Sequence, residues 1–249
     1  MVADLYISGE YLQKNPTWHA DEAPWKARQI LRMLERHHLV PHTICEVGCG
    51  TGEILRLLQQ ALPGDSTLWG YEISPQAFEL CQSRANEHLH FTLADIQQET
   101  GVHFDLILIM DVLEHLEDYF SLLRDLQPKS QYKLIQLPLD ISVRSVLRGE
   151  IIRYRETYGH LHYFTKELAL QMLKDTGYHV LDYSYSGQST DSVPLPWSEL
   201  TTHPRKVVRK VLGRAKRKLI DMPIRLAAMA NEDFTVRFLG TSRLLILAE

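Results

Sequence analysis

"TICEVGCGTGEILRLLQQAL", residues 43–62, decides the fold. Thr43–Val47 is a short apolar run that reads as a buried strand. Glycines at 48, 50 and 52 then make a turn, and 53–62 carries apolar residues at helical spacing. Strand, glycine turn and helix in that order open an α/β unit. Outward from it the pattern repeats. "TLWGYEI" (67–73) reads as a strand, and "SPQAFELCQSRA" (74–85) as a helix with Ser74 at the N-cap and Pro75 in the first turn. "LHFTLAD" (89–95), "FDLILIM" (104–110), "YKLIQLP" (132–138) and "YHVLDYSYSG" (178–187) are further strands. "EHLEDYFSLLRDL" (114–126) reads as a helix, as does "TKELALQMLKDTG" (165–177) between Thr165 and Gly177. "FTVRFLG" (234–240) and "RLLILAE" (243–249) read as a hairpin-like pair of strands.

Strands alternating with helices of about a dozen residues imply a mostly parallel sheet covered on both faces. The last pair breaks that rule, because a short turn cannot join parallel neighbours, so one strand there must run antiparallel. The expectation is a Rossmann-like α/β fold. It divides into an N-terminal lid and helical segment (1–40, with an amphipathic helix over 25–38), a core (41–187), a basic helical insertion (188–233) and closing strands (234–249).

The chain has 249 residues, 45% hydrophobic and 23% charged, which suits a soluble globular protein. Three cysteines, Cys45, Cys49 and Cys81, are too few for a disulfide framework and imply reduced thiols. The N-terminus has neither the basic nor the apolar region of a signal peptide, and the apolar runs are too short to span a bilayer. A cytoplasmic location is expected. Residues 205–218 hold eight Lys/Arg and no acid, around Val207, Val208, Val211, Leu212 and Ala215. This stretch reads as a membrane-surface helix at the inner face, a site for an acidic partner, or a solvated face. It lacks aromatics for base stacking, which speaks against nucleic acid.

The letters around the glycines carry the chemistry. A dinucleotide turn is G-x-G-x-x-G, but here the third of those positions is Glu53, where a carboxylate answers the helix dipole and repels a pyrophosphate. Glu46 precedes the first glycine. Two acids around the turn suit a ligand with a cationic part and no phosphate there, which disfavours a nicotinamide oxidoreductase. Glu72 lies twenty residues beyond Gly52, where a carboxylate can accept from ribose hydroxyls. Sulfonium, α-ammonium and ribose together describe S-adenosylmethionine.

"EVGCGTGE", "GYEIS", "LADI" and "FDLILIMDVLEHLED" resemble, in order, the motifs of class I S-adenosylmethionine-dependent methyltransferases of the small-molecule type, and "GHLHYFTKELALQMLKDTGY" (159–178) resembles the segment that follows them. The resemblance implies a seven-stranded sheet with an antiparallel last strand. It implies that Glu46 and the Gly48–Gly52 backbone, with Cys49 and Gly50, hold the methionine part. Glu72 would bind the ribose and Ile73 the adenine face. Asp95 would accept from the adenine amino group, Ile96 would pack on the ring, and Met110 and Asp111 would line the methionine portion. Asp111 reads equally as the N-cap of the helix after it.

On the acceptor side, His160 and His162 face one way on an extended segment and are candidates for a general base or an orienting pair. Packed or capping histidines are the other reading. A metal is not expected, because no third ligand accompanies the pair at a familiar spacing. His115 reads as helix surface or acceptor contact, and Tyr163 as acceptor contact. Tyr11, Trp18, His19 and Trp25 form a lid over the donor or cover the sheet edge. The end of the fourth strand lacks the proline-aromatic loop of adenine-amino methyltransferases, which disfavours nucleic-acid acceptors. The expected acceptor is an O or N of a small molecule, sugar or lipid-linked precursor. A noncatalytic S-adenosylmethionine-binding or scaffold protein is the alternative.

Overall fold

The computed structural model describes Trp18 and residues 20–187, 231–240 and 242–249. Seven strands form one sheet: β1 (Thr43–Val47), β2 (Thr67–Glu72), β3 (Leu89–Leu93), β4 (Phe104–Met110), β5 (Ser130–Pro138), β6 (Val180–Gly187) and β7 (Ser242–Ala248). Their order is β3-β2-β1-β4-β5-β7-β6. β1 lies parallel between β2 and β4, so the order reverses at the end of β1, where the glycine turn begins. β7 is antiparallel to both β5 and β6, which leaves the other six strands running one way.

The strands bury both faces, and their two-residue period sorts side chains between two cores. Cys45, Val47, Ile107, Ile109, Ile135, Leu137, Leu244 and Ile246 join one core. It is closed by α4 (Tyr119–Leu126), α7 (Lys166–Asp175) and Val236 of α8 (Glu232–Leu239). The alternate residues Ile44, Leu106, Leu108, Leu134, Leu245 and Leu247 join the other. That core is closed by α1 (Ala23–Arg36), α2 (Glu53–Ala61) and Cys81 of α3 (Pro75–Gln82). The same parity puts Glu46 and Arg243 on the α1 face. That placement gathers the charges described below.

Several expectations need correction. "FTVRFLG" is helix, not strand. Asn231 caps α8 by accepting from the Phe234 amide (3.0 Å), and Glu232 and Asp233 occupy its first turn. Only Val236 of this helix is buried, and Phe234 stacks on Phe238 four residues on, so its apolar residues follow a helical spacing. The expected terminal hairpin is therefore β7 alone, inserted between β5 and β6. The helix expected over 114–126 is split. Leu113–His115 is a single 3-10 turn, and α4 starts only where Asp118 accepts from the Ser121 amide (3.0 Å). Between β5 and the histidine pair, two unforeseen helices appear, α5 (Val143–Leu147) and α6 (Glu150–Tyr158). Ser142 and Ser145 form a capping box on α5, and Gly149 and Gly159, both with positive φ, bracket α6.

His19, Tyr11 and the basic stretch 205–218 lie outside the described residues. Among those described, no helix is long and apolar enough to cross a membrane.

Candidate functional site

The glycine turn at the end of β1 is held from β2. Gly48 and Cys49 donate to the Tyr71 carbonyl (2.8 and 3.1 Å). Gly50, Gly52 and Gly48 all take positive φ. Two of them are glycine for different reasons. A Cβ on Gly52 would lie 2.5 Å from the Phe91 ring, so this position is closed by packing. A Cβ on Gly50 would meet only Trp18, 4.0 Å away, so this backbone faces open space beneath an aromatic ring.

Glu72 has a task the sequence did not show. Its Oε2 accepts from Gly50 N (2.8 Å), and its Oε1 accepts from Ile73 N (2.9 Å) and Ser74 N (2.8 Å). It is 5% exposed, and burial raises its pKa despite those three amides. The carboxylate fixes the turn and keeps about one of its roughly four acceptor positions for a ligand. Glu53 also differs from expectation. It accepts from Arg56 (2.9 and 2.7 Å) and Arg84 (3.0 Å), and the bond from Arg56 is the largest cause of its lowered pKa. Two guanidinium groups neutralise it, so repulsion of a pyrophosphate by Glu53 loses its force.

Glu46 lies buried beside the turn. Only 2% exposed, it has one carboxylate oxygen, Oε2, with no hydrogen-bond partner. Burial pushes its carboxyl up to about 8, against the pull of Lys26 and with the push of Glu72. A buried acid in this state awaits a cation or keeps its proton.

Of the expected adenine contacts, Ile73 is 42% exposed beside the turn, whereas Ile96 is 1% exposed and belongs to the core. Asp95 spends Oδ1 on the Gln97 amide (2.9 Å), which starts a 3-10 turn. Met110 is 6% exposed within the α1-side core, as is Cys49 at 7%. All three cysteines are buried and unbridged.

Asp111 does not cap a helix. Its backbone sits at φ +60°, and its Oδ2 pairs with Lys26 Nζ (2.8 Å) and lies 3.1 Å from Arg243 Nε. Burial would raise its pKa, but Arg243 and then Lys26 outweigh that and hold it down to about 2. Arg243 also binds Glu22 (2.8 Å) and lies over the Trp25 ring. Neither cation was foreseen. Lys26 left a trace, since it lies on the same helical face as Ala23, Ala27 and Ile30, where a charge is out of place. Arg243 left none, because its partners are more than a hundred residues away.

The histidine pair divides. His160, 9% exposed, bonds through Nδ1 to Asp140 Oδ2 (2.6 Å) just beyond β5. Its ring meets that of His115 edge-on at 5.0 Å. His162 instead packs edge-on against Tyr119 and lines a separate cavity of about 220 Å³ with Tyr163, Phe164 and Met172. Tyr163 donates to the His160 carbonyl (3.0 Å), so its hydroxyl supports the segment. The amides of Leu161 and His162 donate to the Glu114 carbonyl (2.7 and 3.2 Å) and clamp this segment onto the 113–115 turn. The third ligand-capable side chain missing from the sequence spacing is thereby supplied: Glu114 and His115 stand beside His160.

The comparisons bear on the fold and the family. A family model described as a methyltransferase domain matches residues 18–183. No curated protein sequence matches the chain. Among solved structures, a chain from the Haloferax volcanii complex of the Trm112 methyltransferase activator superposes with TM-score 0.63 at 14% identity, covering 100% of this chain and 96% of that one. The [4+2]-cyclase SpnF gives 0.57 at 16%, covering 90% and 80%. Magnesium protoporphyrin IX methyltransferase (ChlM) from Synechocystis PCC 6803, with bound SAH, gives 0.52 at 18%, covering 66% and 76%. At these identities the structures testify to the fold, and the family match spans two thirds of the chain. The chain belongs to the class I S-adenosylmethionine-dependent methyltransferases.

Proposed function

We propose that the chain transfers a methyl group from S-adenosylmethionine to an oxygen or nitrogen of a small-molecule, sugar or lipid-linked acceptor. The observation that carries this reading is the buried, unpartnered Glu46 oxygen beside a glycine turn that is open at Gly50. The residues fit the donor. Glu46 would meet its cationic methionine part, the Gly48–Gly52 backbone would run along it, and Trp18 would cover it. Glu72 would offer its remaining acceptor position to the ribose, Ile73 an apolar face to the base, and Asp95 its second oxygen to the adenine amino group. When bound, the donor supplies an electrophilic methyl carbon whose bond to sulfur breaks as the acceptor attacks.

The protein's contribution is alignment, which can supply ~7–11 kcal/mol. Asp111, locked between Lys26 and Arg243, would give the crevice a rigid, charge-balanced wall at the end of β4. His160 is the better of the two candidate bases. Asp140 engages its Nδ1, which leaves Nε2 to take a proton from an acceptor hydroxyl. His162 would serve as an acceptor contact with Tyr163, and His115 as a neighbour of His160.

Calorimetric titration with S-adenosylmethionine and with NAD is the test. Micromolar binding of the former and none of the latter is expected; tight NAD binding alone would overturn the reading. The second reading, a fold used without methyl transfer, draws support from the likeness to a cyclase. A screen of acceptors for S-adenosylhomocysteine release separates the two, since turnover with any acceptor excludes it.

A further inference from the structure

The cluster at the end of β4 is built more fully than a proton-transfer site requires. Glu114, His115 and His160 each offer one donor atom, and these atoms lie within 4.8 Å of one another. The far nitrogen of each imidazole is engaged: His160 Nδ1 by Asp140 (2.6 Å) and His115 Nδ1 by the Gly159 carbonyl (3.4 Å). That leaves both Nε2 atoms for an ion, and His115 Nε2 lies 3.8 Å from Glu114 Oε1. A carboxylate or carbonyl behind a histidine is the usual outer support of a metal-binding imidazole. Glu114 itself is 1% exposed, and its Oε2 has no hydrogen-bond partner. A buried carboxylate oxygen without a donor is costly, and the nearby lysine and arginine, Lys26 and Arg243, are taken by Asp111 and Glu22.

The geometry points to a divalent-cation site formed by Glu114, His115 and His160. Two imidazoles and one carboxylate suit zinc or a neighbouring first-row ion better than magnesium or calcium, which prefer oxygen ligands. Ligands at about 2.0–2.2 Å from an ion stand about 3–4 Å apart, so the donors need close by only about an ångström. Three protein ligands leave open positions, the pattern of a working site. What the ion does there rests on the methyl-transfer reading. A hydroxyl acceptor in an open position would lose its proton to solvent near neutral pH, a service that the free His160 imidazole would otherwise supply.

The test uses tag-free, full-length protein dialysed against chelator and titrated with zinc chloride by calorimetry, then with cobalt(II) under visible absorption. One zinc per chain is expected, with visible bands of a nitrogen–oxygen cobalt site. Glu114→Gln and His160→Asn should weaken zinc at least tenfold, and Asp140→Asn about tenfold, as loss of outer support does. Circular dichroism confirms that each variant is folded; if one is not, His115→Gln takes its place. Absence of stoichiometric zinc, unchanged affinity in the folded variants, or thiolate bands showing that Cys49 and Cys81 hold the metal would each overturn the site. Magnesium binding as tightly as zinc would overturn its class. Titration of the same samples with S-adenosylmethionine separates the two proposals. Donor binding without zinc removes only the ion, and zinc without donor binding removes only the methyl-transfer reading.

Discussion

The two ends of the crevice are built on opposite principles. The glycine-turn side, the proposed donor side, is local: Glu46 to Glu53 and Glu72 to Ser74 come from two adjacent strands and their turns, and backbone amides satisfy its key carboxylate, Glu72. The charged cluster beyond β4 is assembled from distance. Lys26 of α1, Asp111, Glu114 and His115 beyond β4, Asp140 beyond β5, His160, and Arg243 of β7 meet there through side-chain charges. A site held by backbone geometry tolerates the loss of one side chain's charge. A site held by opposed buried charges does not, because each charge depends on its partner.

The largest expected effect tests that contrast directly. Asp111→Asn leaves Lys26 and Arg243 buried with one counter-charge fewer, and urea unfolding should show a loss of about 3 kcal/mol. The same variant should change the acid limb. Asp111 is held at about 2, against 3.8 ordinarily, so its contribution is present above pH 3.8 and is lost as pH falls through about 2. That component should vanish from the pH–stability curve of the variant. A wild-type-like curve would show that the ion pairs carry no stability.

On the donor side, Gly52→Ala combines left-handed strain with overlap on Phe91 and should cost about 2–3 kcal/mol. Gly50→Ala meets no such wall and should cost about 1 kcal/mol while weakening donor binding disproportionately. Equal stability losses in the two variants would remove the distinction between a packing glycine and a ligand-facing one.

The smallest effect concerns protons. With its carboxyl up at about 8, Glu46 contributes stability that is present below its ordinary pKa and lost as pH rises through about 8. A cationic donor favours the ionised form and so expels the proton. Affinity for S-adenosylmethionine should therefore rise with pH, by up to about tenfold per unit, and level off above pH 8. Glu46→Gln should lack this component, read as the difference between the two titrations. Parallel curves would separate Glu46 from the donor's charge.

The glycine turn, the strands and most core helices were legible because their signals are short in range: period two, period 3.6, caps and breakers. "FTVRFLG" misled because its β-branched and aromatic letters outweighed Asn231 and the two acids at its start. The burial of Ile96 was not legible, because it depends on what the sheet packs against it. Lys26 was within reach, as a charge on an apolar helical stripe. Asp140 and Arg243 were not, since nothing near them in sequence marks their partners.

The sequence by itself determined the strand order's raw material, the glycine turn and the acids that bracket it. Those features depend on neighbours a few residues apart, where chain geometry leaves little choice. Only the tertiary structure decided that Glu72 binds the turn's amides, that Arg84 joins the helical neighbour Arg56 on Glu53, and that His160 parts from His162 to join Glu114 and His115. Charges act through space, and which of them meet is set by how segments far apart in the chain lie side by side.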